Sequence, residues 1–114
     1  MATVKTTPVT NISAEDYQPF MIGDEQVGEV HWLRTDSGGE GQLYTGLWRC
    51  EPRDIPYVFP GDETFQVLAG EVRIEPEGGE PVELETGDIA SFPKGQHALW
   101  TIKSPFKKFF VISG

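Results

Sequence analysis

Cysteine and histidine are nearly absent from this chain. It has one cysteine, Cys50, and two histidines, His31 and His97. A lone cysteine closes no internal disulfide and builds no thiolate metal cluster. Cys50 ends the strand-like run Leu47-Trp48-Arg49-Cys50 and reads as a small buried hydrophobe. A thiol nucleophile would need one of only two histidines as its base, so that role is set aside. Basic residues are also scarce: 9 Lys and Arg stand against 18 Asp and Glu, a net charge of −9. Such a surface repels phosphate backbones and anionic headgroups, so neither nucleic acid nor membrane is expected as a partner. No apolar run approaches the about eighteen residues of a membrane helix. Met1 to Lys5 lacks the apolar stretch of a secretory signal, and a cytoplasmic location is expected. Helical periodicity is missing too, apart from a short turn expected from Ser13, with Ser13 as its N-cap.

What the chain has is glycine, proline and alternation. Its 114 residues, with 13 Gly and 9 Pro, suit one domain that buries a modest core without staples. Residues 1–26 are rich in Thr, Pro and acidic groups but carry Ile12, Tyr17, Phe20, Met21 and Ile22. They read as an N-terminal arm that lies across the domain or pairs at a sheet edge. Residues 27–114 read as the domain proper. Period-two runs begin at Val27, Leu43, Thr64, Glu71, Val82, Ile89, His97 and Lys107, separated by turns such as Asp36–Gly41 and Glu77–Glu80. Pro52, Pro56 and Pro60 mark Glu51 to Gly61 as a loop or an irregular edge. Many short strands without interleaved helices point to an all-β sandwich or closed barrel.

Two segments sharpen that class. One holds a glutamate separated by six residues from a glycine, Glu63 and Gly70; the other holds Gly87-Asp88 and, after five residues from the glycine, Pro93-Lys94-Gly95. Together they resemble the two signature motifs of the cupin superfamily. With Trp48, the proline-rich loop and Trp100, the order is similar to small single-domain cupins, including the cupin domain of (S)-ureidoglycine aminohydrolase. The resemblance covers roughly residues 42–112. It implies an antiparallel double-stranded β-helix, the cupin jelly-roll barrel, and a homodimer is expected with it.

Metal-binding cupins hold a divalent ion with a His-x-His pair, a glutamate and a third histidine. Carried onto this sequence, those positions are Tyr57, Phe59, Glu63 and Ala98, and only Glu63 retains a ligand. A barrel without a tightly bound metal is therefore expected, with a divalent transition metal held by an unforeseen set such as His31, His97 and Glu63 as the alternative. If Ala98, Trp100 and Ile102 face inward, His97 faces out, unless a bulge at Gly95-Gln96 rotates it.

The resemblance then places Trp48, Tyr57, Phe59, Glu63, Phe65 and Trp100 around the lumen. Aromatic walls with one carboxylate suit a small-molecule site. A desolvated Glu63 is expected to have a raised pKa and to serve as general acid or base, or to pair with a cationic ligand that the aromatics also attract. The plainer reading is that the aromatics are core and that Glu63 is a structural carboxylate bonded to Tyr57, Arg49 or a backbone amide. Lys103, Lys107 and Lys108 are expected at a strand edge or in solvent. The expected function is binding of a small polar or cationic metabolite. The alternative is an enzyme acting on a small ureido-type compound, metal-dependent or using Glu63.

Overall fold

The computed structural model describes residues 7–114, so the first six positions of the arm lie outside the described residues. Ten strands follow in order: β1 (Gln18–Ile22), β2 (Glu25–Arg34), β3 (Leu43–Cys50), β4 (Arg53–Val58), β5 (Asp62–Ala69), β6 (Glu71–Pro76), β7 (Val82–Glu85), β8 (Ile89–Phe92), β9 (His97–Ile102) and β10 (Phe106–Ser113). They form a six-stranded sheet in the order β1-β2-β3-β10-β5-β8 and a four-stranded sheet in the order β4-β9-β6-β7. Every pairing is antiparallel. Among the described residues no strand of one sheet pairs with a strand of the other. The fold is thus the antiparallel jelly roll expected, but its two facing sheets do not close into a barrel.

Alternation decides what lies between the sheets. On β5, Glu63, Phe65 and Val67 are buried; on β9, Ala98, Trp100 and Ile102 are buried while His97 and Leu99 stay exposed. All the buried ones but Glu63 join Val30, Trp48, Ile55, Val72, Ile74 and Phe110 in one apolar core. Gly70 makes the corner where the chain leaves the larger sheet for the smaller one. Its φ of 84° lies in the left-handed region, and a Cβ there would press into the carbonyl oxygen of Pro105. Only glycine meets both demands without strain.

Of the two readings of the proline-rich stretch, the edge holds: Arg53–Val58 is a strand, β4, at the edge of the smaller sheet, with Pro56 opposite Leu99. It survives because β4 is the edge of its sheet, where the missing N–H of proline costs no ladder bond. No helix starts at Ser13. The Asn11 side chain accepts the Ser13 N–H at 2.8 Å, and its carbonyl accepts the Ala14 N–H at 3.1 Å, which makes a turn instead.

Residues 10–17 lie on the outer face of the larger sheet. Lys107 Nζ donates to the Ile12 carbonyl at 3.0 Å, and the Arg49 guanidinium sits 3.8 Å from the Tyr17 ring centre. His31 lies 2.7 Å from the Thr10 hydroxyl and 3.2 Å from the Asp16 carboxylate. Gln18–Ile22 then joins the sheet edge as β1. Among the described residues no helix is long and apolar enough to cross a membrane.

Candidate functional site

The register of three neighbouring strands assembles the site. Glu63 on β5 lies opposite Ile112 of β10 and Phe92 of β8, while Lys108 of β10 lies opposite Val67 of β5 and Trp48 of β3. Period two places Phe106, Lys108 and Phe110 on the inner face of β10. The expectation that Lys108 faces solvent is therefore corrected: it is only 6% exposed, and Glu63 is 0% exposed. Lys107, its neighbour, takes the outer face.

Lys108 Nζ stands 2.5 Å from Glu63 Oε2, and the Tyr57 hydroxyl donates to Glu63 Oε1 at 3.1 Å. Both carboxylate oxygens thus have a partner, and of the three partners weighed for Glu63 from the sequence it is Tyr57, half-buried, that makes the contact. The ammonium is also enclosed by rings, with centres at 4.6 Å for Trp100, 4.7 Å for Phe65, 5.2 Å for Trp48 and 5.6 Å for Phe110. Cation–π attraction supports a charge in such a cage. Paired this way, two opposite charges tolerate burial that neither would tolerate alone. Burial raises the Tyr57 pKa far above the ordinary phenol value, with the Glu63 charge and the hydrogen bond to it acting in the same direction. Tyr57 is accordingly a proton-bearing donor, not a phenolate ligand.

Beside this triad is a cavity of about 50 Å³. Trp48, Tyr57, Glu63, Trp100 and Lys108 line it, with apolar walls from both sheets and from Phe20 and Ile22 of β1. Phe59 and Phe65 do not line it. Phe59 stacks on Phe92 at 4.6 Å, Phe65 faces the same ring at 6.2 Å, and both pack behind Trp100. The space admits roughly three or four water-sized positions. The two indoles on its wall differ. Trp48 Nε1 donates to the Val27 carbonyl at 3.0 Å, whereas buried Trp100 Nε1 has no partner. A buried donor without an acceptor is costly.

Neither histidine reaches this chamber. His31 is engaged by the N-terminal segment on the outer face, and His97 is exposed on β9. Among the described residues no three His, Cys, Asp or Glu side chains come together. The residues at the metal positions of related folds do not fit a divalent ion either. Tyr57 keeps its proton, Phe59 and Ala98 offer no lone pair, and the remaining carboxylate oxygen is covered by an ammonium. Cys50 is buried, and burial raises its thiol pKa, as a packing role requires.

Residues 37–110 match the EutQ-like cupin domain. The chain belongs to this family. No functionally curated protein matches it. Among solved structures, a DUF861 family protein from Thermotoga maritima is 30% identical, with 56% of this chain and 73% of that one aligned at a TM-score of 0.54. A putative ethanolamine utilization protein Q from Salmonella typhimurium is 20% identical, covering 87% and 98% of the two chains at a TM-score of 0.66. The DMSP lyase DddQ from Ruegeria pomeroyi is 22% identical over 87% of this chain and 56% of its own, at a TM-score of 0.65. The last two likenesses are of fold.

Proposed function

We propose that this cupin binds a small polar compound between its sheets and that the Lys108 ammonium serves as the fixed cation of the site, in place of a metal. The observation that carries the reading is the buried Glu63–Lys108 pair, held by the Tyr57 hydroxyl, on the wall of a cavity between the sheets. A cationic metabolite fits poorly, because the chain's own ammonium already fills the aromatic cage and pairs with the carboxylate. Lys108 has three N–H donors and Glu63 takes one, which calls for an acceptor on the ligand: a carbonyl, a ureido oxygen or a carboxylate. The small volume calls for few heavy atoms.

A thermal-shift series tests this with small amides and ureides, small carboxylates and alkylamines. At a concentration of about one hundred times Kd, a ligand of the folded state stabilises by roughly 2.7 kcal/mol, a rise on the order of 10 °C for a domain of this size. Acceptor compounds should give the shift in the native protein and lose most of it when Lys108→Met is combined with Glu63→Leu. Stabilisation by alkylamines alone, or by none of the compounds, would contradict the reading.

A second reading is an enzyme acting on a small ureido-type compound, and one observation favours it. Glu63 accepts hydrogen bonds from two proton-bearing groups at once, which suits a carboxylate that passes protons. Glu63→Gln would then abolish turnover while leaving the binding shift in place. The DMSP lyase likeness adds only that the fold hosts enzymes.

A further inference from the structure

We propose that Lys108 is a covalent acceptor for small aldehydes or ketones, forming an iminium with a carbonyl compound held in the cavity. This rests on the binding reading above and adds a bond to it. Three observations converge. Lys108 is a buried primary amine on the wall of a cavity, where Lys94 and Lys103 are exposed and Lys107 is half-buried on the outer face. A carboxylate stands 2.5 Å from its nitrogen to take a proton. A second proton donor, Tyr57, holds the other oxygen of that carboxylate. Amines in apolar surroundings are the ones that chains use to form Schiff bases.

The step balances without any oxidant or reductant. The ammonium gives one proton to Glu63 and becomes a free amine. Its lone pair attacks the carbonyl carbon, an N–C bond forms, and the π electrons of the C=O bond move to oxygen. That oxygen takes the proton held by Glu63. A further proton leaves nitrogen for Glu63 and passes to the hydroxyl, the C–O bond breaks and water departs. One ammonium and one carbonyl compound become one iminium and one water. The positive charge is conserved beside Glu63, so the ion pair survives the reaction.

Reductive trapping tests it. The intact protein is incubated with acetaldehyde, acetone or pyruvate in the presence of cyanoborohydride and digested, and the labelled lysines are located by fragmentation mass spectrometry. A single adduct on Lys108 is expected before label accumulates on Lys94, Lys103 or Lys107. Lys108→Arg, which keeps the charge, should lose that adduct and keep its folded circular-dichroism spectrum. Glu63→Gln should slow labelling of Lys108 by about a hundredfold, the lower end of what losing a proton-transfer group costs. Label confined to surface lysines, alongside a thermal shift from the same compounds, would overturn the covalent step and leave binding standing. No thermal shift and no Lys108 label would overturn both.

Discussion

Lys108 and Glu63 place opposite charges where the rest of the interior is apolar, and each depends on the other. Removing one partner of a buried pair leaves an uncompensated charge and costs about 3–5 kcal/mol, whereas replacing both by apolar groups of similar size is often neutral or stabilising. Lys108→Met alone should therefore lower unfolding stability by that amount in urea titration, and Lys108→Met with Glu63→Leu should recover most of it. A double variant as unstable as the single would mean that the pair is an architectural necessity, not a device kept for the cavity beside it. Glu63, Tyr57, Trp48 and Trp100 are legible as lumen residues because the resemblance to the cupin motifs places them there. Lys108 was not, because the Lys107-Lys108 doublet resembles a solvated strand end. The signal was nevertheless present: Phe106 and Phe110 share its parity, and a residue between two inward phenylalanines on a strand is itself inward. Phe59 and Phe65 were placed inward correctly, but the cavity stops short of them because Phe92 fills that end.

At the scale of the element, the strands were legible wherever turns bracketed an alternating run, from Leu43–Cys50 through Phe106–Ser113. They were harder to see where proline competed. Pro56 argued against a strand, and β4 forms all the same because tertiary pairing with β9 overrides a local preference at an edge. β4 matters to the site, since it carries Tyr57 and Ile55 across from Glu63. The β5–β6 corner has a similar bearing. Gly70 swings the chain from the sheet that holds Glu63 and Lys108 to the one that holds Trp100. Gly70→Ala combines a positive φ with a collision on the Pro105 carbonyl. It should destabilise by about 1–3 kcal/mol in denaturant unfolding. An unchanged midpoint would show that the corner relaxes freely and does not fix the facing of the sheets.

At the scale of the whole molecule, the charge arithmetic separates surface from interior. The net charge is −9, yet the interior pair sums to zero, so the excess negative charge lies outside the chamber. The expected barrel is instead two sheets that face each other without closing, and the opening beside β1 lets apolar Phe20 and Ile22 reach the cavity wall. That arrangement follows from strand order, which alternation along a single strand does not reveal. The central proposal is that the cation at Glu63 belongs to the chain itself. Diffraction from crystals of the native protein, collected at wavelengths above and below the absorption edges of the common transition metals, tests it directly. The expected density beside Glu63 is continuous with the Lys108 side chain and carries no anomalous signal. An anomalous peak on Glu63, with Lys108 displaced from it, would contradict the proposal.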